Sequence, residues 1–277
     1  MTDVNTPGPT GRTAVVTGGA GGIGGAVSRR LAIEGATVVV NDIDAELLDA
    51  TMRDIAAAGG RAVAVLGDVR DPDVVDAVLA AGIDLGGGID VLVNNVGDYR
   101  PASRNFLRST EAQWQDLYEL NLLHVLRCCH RIVPSIIERG GGAVVNVSTV
   151  EAFRGIPANS VYAAFKSGVV EFTKSLAVEV APHGVRVNAI APDMADTLQT
   201  PAASMLRGRE VERIANWIPM GRFGDPDDYA TVVAFLASDS ARFVTGETIA
   251  VDGGTLAASG WYGRADGKGW TNLPDRP

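Results

Sequence analysis

The stretch Thr13-Ala14-Val15-Val16-Thr17-Gly18-Gly19-Ala20-Gly21-Gly22-Ile23-Gly24 decides the fold. Its first five residues are small or β-branched and show no in/out alternation, the pattern of a strand buried on both faces of a parallel sheet. A glycine turn follows at once and opens a helical stretch. Glycines let the backbone approach a pyrophosphate, and a helix N-terminus offers free N–H groups and the positive end of its dipole. The spacing of Gly18, Gly22 and Gly24 is G-x3-G-x-G, which a flexible loop could also carry, so the rest of the chain has to discriminate.

Working outward, apolar runs at 13–17, 37–41, 61–67, 90–94, 143–148, 185–190 and 248–251 read as strands. Between them, 23–34, 44–58, 72–82, 111–138, 158–181 and 226–238 read as helices. Regular alternation of this kind predicts an α/β fold: a doubly wound, Rossmann-type parallel sheet of about seven strands with helices on both faces. The sequence pattern predicts one catalytic domain over 11–256, a flexible segment at 1–10 and a loop-plus-helix insertion at about 193–215. A tail at 257–277 carries Trp261, Tyr262 and Trp270, and is either disordered or docked against its own or a neighbouring subunit.

The 277 residues are 46% hydrophobic and 21% charged, which excludes general disorder and a small disulfide scaffold. A net charge of −9 leaves no basic stripe for phosphates, so neither nucleic acid nor an anionic membrane is expected as partner. No apolar run approaches the ~20 residues of a membrane span, and the Pro/Gly/Thr-rich N-terminus is not expected to act as a signal peptide. Adjacent Cys128 and Cys129, and His124, His130 and His183, show no metal-ligand spacing. A cytoplasmic protein without a metal is expected.

Asp42 closes the second strand 18 residues after Gly24, near the offset at which a carboxylate meets an adenosine ribose. It would accept from both ribose hydroxyls and repel a 2′-phosphate, and no Arg or Lys lies in the glycine turn, so NAD is expected rather than NADP. Asp44 is the better helix cap. Farther along, Tyr162 and Lys166 share one face of a helix at i, i+4. A phenol titrates near ~10, too high for a base at neutral pH, and a nearby ammonium favours the phenolate, which makes the pair a proton donor/acceptor with its tuner.

Taken in order, the turn Thr17–Gly24, Asp68-Val69, Asn94-Asn95-Val96-Gly97, Asn121, Ser148-Thr149, Tyr162-x3-Lys166, Pro192 to Thr197 and Asp252-Gly253-Gly254 resemble the short-chain dehydrogenases/reductases over about residues 10–256. The resemblance implies Tyr162 as proton donor/acceptor, Lys166 bonding the nicotinamide ribose, Asn121 holding a relay water, and Thr149 as the hydroxyl that orients substrate. It implies Gly18, Gly22, Ile23 and Gly24 at the pyrophosphate, Asp42 and Ile43 at the adenosine, and Asp68 and Val69 at the adenine. Asn95, Val96 and Gly97 would flank the cofactor, with Pro192, Thr197 and Ile190 near the nicotinamide. Hydride transfer between NAD and a small-molecule secondary alcohol or its ketone follows.

Three positions depart from the family pattern. Val96 replaces an alanine. Asp193 replaces a glycine, to steer substrate charge or to cap the next helix. A threonine, Thr149, stands 13 residues before Tyr162, where the family's catalytic hydroxyl falls; Ser148 is left for a local or substrate contact. The alternatives are a 3-oxoacyl-thioester reductase, which usually takes NADP and gains from a basic docking patch, and a non-catalytic dinucleotide sensor, which needs neither Tyr162 nor Lys166. Apolar residues on two faces of 111–138, with the resemblance, imply a homotetramer.

Overall fold

The computed structural model describes residues 10–102, 105–206, 211–264 and 269–271. Segment 1–9, most of the expected flexible N-terminus, lies outside the described residues, as do 207–210 of the insertion and 265–268 and 272–277 of the tail.

Seven parallel strands form one sheet: β1 (Thr13–Thr17), β2 (Thr37–Asp42), β3 (Arg61–Leu66), β4 (Val91–Asn94), β5 (Gly142–Val147), β6 (Val185–Pro192) and β7 (Thr248–Val251). Their spatial order is β3-β2-β1-β4-β5-β6-β7. Chain direction across the sheet reverses between β1 and β4, and in such sheets the crevice beyond the strand C-termini at that point receives the ligand. Register levels those ends: Thr17 pairs with both Asn41 and Asn94, and Asn94 pairs with Asn146. Part of the polar row is linked internally, Asn94 donating to Asn146 Oδ1 at 2.9 Å and Asn146 to Thr173 Oγ1 at 2.9 Å. It forms a rigid floor for what sits above.

Strand alternation divides the core in two. Ala14, Val16, Val38 and Val40 face α1 (Gly22–Ile33), α2 (Ala45–Ala57) and α8 (Pro226–Ala237), packing on Val27, Leu31, Leu48 and Tyr229. Val15, Val39 and Leu92 face the other way, onto α3 (Pro72–Gly86), α5 (His124–Glu138) and α6 (Ser160–Val180), through Val75, Ile132, Ile136 and Val169.

The predicted helix 111–138 is interrupted. It comprises α4 (Glu111–Tyr118), a π-turn at Glu119–Leu123, and α5. Asn121 sits in the π-turn and donates from Nδ2 to Leu117 O, four residues back, at 3.0 Å. A side chain inserted into the i→i−4 ladder accounts for the extra residue in the turn. β5 stops at Val147, one residue before the predicted 148, so Ser148 and Thr149 lie just past the strand; Thr149 is still extended (φ −164, ψ 155) and caps a 3-10 turn at Val150–Ala152.

The insertion holds the short α7 (Ala202–Leu206) and a 3-10 turn at Val211–Asn216. The tail's β8 (Tyr262–Gly263) pairs antiparallel with β9 (Trp270–Thr271), and Gly263 packs on the backbone of Ala215 and Asn216, so this part of the tail docks on its own chain, over the insertion. Among the described residues no helix is long and apolar enough to cross a membrane.

Candidate active site

The glycine turn joins β1 to α1 with Gly21 as the helix N-cap, which has no side chain to lend. By contrast Asp44, Asp71, Thr110 and Asp225 cap α2, α3, α4 and α8 with their own oxygens. The first-turn N–H groups of α1 are thereby left for an anion. Glycine is compulsory at position 24, where a Cβ would fall 2.0 Å from Gly18 O. Ile23 packs on the core below. Asn95 holds the turn rather than facing a ligand: its Nδ2 donates to Thr17 O at 3.1 Å and Gly18 O at 2.9 Å.

Asp42 stands beside this turn. Its carboxylate accepts from Ala20 N at 3.0 Å, Ile43 N at 2.8 Å and Asp44 N at 3.2 Å. A carboxylate has about four acceptor positions, so it keeps room for about one ribose hydroxyl rather than the expected two. Ile43 is 70% exposed beside it, a free apolar face. Asp68 is held by Arg70, Nη2 to Oδ2 at 2.6 Å, and Val69 is packed into the core.

On the other side of the switch point stand Tyr162 and Lys166, one turn apart on α6. The Lys166 side chain is 2% exposed, donates to Val147 O at 2.9 Å, and lies 5.9 Å from the Tyr162 ring centroid. Burial lowers the ammonium to about 8. The Lys166 Nζ and Asn121 Oδ1 crowd the space a Cβ on Gly97 would take, at 2.6 and 3.1 Å, so a side chain there would displace the end of the lysine. The Asn121 amide is fully engaged with Asp98 as well, donating to Asp98 O at 2.8 Å and accepting from Asp98 N at 3.0 Å. It locks the loop after β4 to the π-turn. Val96 packs into the core beneath Gly18.

The tyrosine differs from expectation in one respect. Its phenol is pushed up, first by burial and then by the charge of Glu151, while interaction with the Thr149 hydroxyl pulls the other way. Desolvation of the phenolate is the largest cause, and Lys166, whose own ammonium is lowered by burial, does not reverse it. Thr149 Oγ1 also donates to Pro192 O at 3.3 Å, tying the ends of β5 and β6. Ser148 Oγ points into the protein and donates to Lys166 O at 2.9 Å.

Asp193 neither caps a helix nor faces open solvent. Its side chain is 6% exposed, accepts from Arg154 Nη2 at 2.7 Å, and is also bonded by the Thr255 hydroxyl. The helix-cap reading is corrected: the first N–H of α7, Ala202 N, is taken by Asp196 Oδ1 at 2.9 Å. Thr197 Cγ2 lies 3.3 Å from where a Cβ on Gly22 would stand, and Gln199 Nε2 donates to Gly97 O at 3.3 Å. The insertion thus reaches across from β6 to the glycine turn and the β4 loop. Ile190 is buried in the core.

The sequence reading missed Glu151, Arg154, Gln199 and Thr255. Opposite charges at 154 and 193 were visible, but no periodicity relates two loops 39 residues apart.

An α/β sheet with a glycine-lined helix start and a half-buried tyrosine beside a buried lysine at its switch point defines a dinucleotide-binding class of protein. Residues 18–255 match the family model described as enoyl-(acyl carrier protein) reductase. The chain is 38% identical over 246 residues to 3-oxoacyl-[acyl-carrier-protein] reductase FabG of Thermotoga maritima, covering 89% of this chain and 98% of that one. It is 41% identical over 255 residues to 3beta-hydroxysteroid dehydrogenase 1 of Eggerthella lenta, covering 91% and 96%. Among solved structures, levodione reductase superposes with a TM-score of 0.83 at 34% identity, covering 90% of this chain and 99% of that one. The chain belongs to the short-chain dehydrogenase/reductase family, oxidoreductases that use a nicotinamide dinucleotide.

Proposed function

We propose that this protein interconverts a secondary alcohol and its ketone with NAD as cofactor. The observation that carries the reading is the convergence of Tyr162, Thr149 and buried Lys166 beside the uncapped start of α1. The residues fit a dinucleotide: the α1 N–H groups for its pyrophosphate, Asp42 and Ile43 for its adenosine, Lys166 for its second ribose, and Thr197 and Pro192 for its nicotinamide end. When bound, that group accepts or supplies the hydride. The chain supplies the rest. Thr149 orients the substrate oxygen, Tyr162 gives or takes its proton, and Lys166 links the phenol toward the Asn121 loop. A catalytic role separates this reading from a dinucleotide sensor, which gains nothing from burying a lysine against a tyrosine.

Asp42 supports NAD. Asp42→Ala is expected to raise kcat/KM with NADPH relative to NADH by about tenfold or more, roughly the value of one charged contact. Wild-type enzyme that uses NADPH as well as NADH would refute the assignment.

A 3-oxoacyl-thioester reductase is the second reading, favoured by the name of the Thermotoga relative. The net charge of −9 weighs against docking an acidic carrier. Reduction of a 3-oxoacyl thioester faster than of simple ketones would establish it over the first.

We further propose a homotetramer in the cytoplasm, where adjacent free Cys128 and Cys129 stay reduced. Supporting it, an open groove of about 660 Å³ between α5 and α6 is lined by Leu126, Cys129, Val133, Pro134, Phe172 and Leu176. Apolar helix faces of this kind call for a second copy. Light scattering is expected to give four times the 28.9 kDa chain mass; a monomer at the chain mass rejects the proposal.

A further inference from the structure

A backbone bond from Ser148 N to Ile190 O, at 2.8 Å, continues the β5–β6 ladder just past the end of β5. Beyond it, side chains join the two segments. Thr149 Oγ1 donates to Pro192 O at 3.3 Å, and Arg154 Nη2 donates to the next residue, at Asp193 Oδ2, at 2.7 Å. The two ties are unequal. The first is a long bond between neutral groups; the second is short and charge-assisted, with side chains only 6% (Asp193) and 21% (Arg154) exposed. Asp193 is itself fixed: the Thr255 hydroxyl lies between its Oδ2 and Asp252 Oδ2, and Asp252 accepts from Gly254 N at 2.8 Å and Leu256 N at 2.7 Å. On its other side the turn after Thr149 is held to α6, Ser167 Oγ donating to Ala152 O at 3.1 Å.

We propose that Arg154 and Asp193 are positioning residues for Thr149: their ion pair keeps the turn that carries this hydroxyl against the end of β6 when Thr149 exchanges Pro192 O for the substrate oxygen. The proposal rests on the reading of Thr149 as the hydroxyl that orients substrate. A hydroxyl has one proton to donate. While that proton is on Pro192 O it is not on a substrate carbonyl, so turnover uses up the weaker tie and leaves the stronger one. Branching at Cβ restricts the rotamers of a threonine, so Thr149 is aimed chiefly by where the backbone of its turn is held. Glycine, the family's residue at 193, has no side chain to make this tie. Arg154 and Asp193 move no proton; both act through Thr149.

The test is a double-mutant cycle read in kcat. Reduction of cyclohexanone and of a 3-oxoacyl thioester is followed with NADH or NADPH, whichever wild type uses faster. Arg154→Gln combined with Asp193→Asn removes both charges and leaves no buried ion unpaired. It is expected to lower kcat by on the order of tenfold to a hundredfold, the cost of a misplaced group, with cofactor affinity, read by fluorescence, within about twofold of wild type. Arg154→Lys, which still pairs with Asp193 as a point charge, should keep part of the rate that Arg154→Gln loses. In a Thr149→Val background the combined substitution should cost less than about twofold, because no hydroxyl is left to place. If the combined variant does not fold, Arg154→Gln with Asp193→Gly, the family's residue, takes its place in the cycle. A brace with only a structural role lowers kcat by the same factor in both backgrounds; that equal loss, or an unchanged kcat in the wild-type background, overturns the proposal. A Thr149→Val variant with the wild-type rate also overturns it while leaving the alcohol/ketone reading of Tyr162 standing. Absence of turnover with both substrates, in an enzyme that still binds the cofactor, overturns that reading and this proposal with it.

Discussion

Tyr162→Phe is expected to lower kcat by at least ~10²-fold while NADH binding, read by cofactor fluorescence, stays within about twofold of wild type. The substitution removes one oxygen and keeps the ring, so its edge-on contact with Tyr99, at 6.1 Å between centroids, survives. What is lost is the proton transfer, and a positioned acid/base contributes ~10²–10⁴-fold. The direction of the phenol's shift adds a pH signature. Burial and Glu151 hold Tyr162 protonated, with Asp98 and Tyr99 acting the same way. Ketone reduction, which needs the proton on the phenol, should fall as pH rises through the tyrosine's value. Alcohol oxidation, which needs the phenolate, should rise over the same range. Glu151→Gln removes one raising charge and should move both limbs to lower pH. A variant keeping more than about a hundredth of wild-type kcat would remove Tyr162 from the proton-transfer role.

The second large effect concerns the hydroxyl pair. Thr149→Val should lower kcat by ~10²-fold or more, because a shape-preserving change leaves the substrate oxygen without its donor. Ser148→Ala should cost far less in kcat. The reason lies in where each hydroxyl points. Neighbouring extended residues face opposite ways; Ser148 Oγ is spent on Lys166 O, inside the protein, whereas Thr149 is turned toward Tyr162 and the end of β6. Loss of the Ser148 bond is expected mainly in the melting temperature, since it ties β5 to α6. Reversal of the kcat ranking, with both variants folded and binding NADH, would transfer the role to Ser148.

The braced loops refine a point on which sequence reading had left alternatives open. Asp193 occupies a glycine position of the family, where the sequence is compatible with steering substrate or capping a helix. Its actual partner, Arg154, is on another loop. One consequence is that a guanidinium near Glu151 is shared with Asp193, so the electrostatics there depend on a contact between residues with no sequence relationship.

The sequence by itself determined the seven strands, because each is a short apolar run that needs no information from elsewhere in the chain; the five inner ones are buried on both faces, whereas the edge strands β3 and β7 are only partly covered. It determined the glycine turn for the same reason: a Cβ at position 24 collides with a backbone oxygen only six residues away. The Tyr162–Lys166 pair was legible too, since helical geometry puts i and i+4 on one face whatever surrounds them. Tertiary structure alone decided the π-turn at Asn121, which follows from a side chain competing for the helix ladder while it holds the Asp98 loop. It alone decided that three backbone N–H groups already occupy Asp42, that one buried oxygen of Glu151 is left without a partner, and that desolvation is the largest influence on the phenol. Those outcomes depend on which groups lie within a few ångströms after folding and on how much water remains between them, and neither quantity has a period that a linear sequence can display.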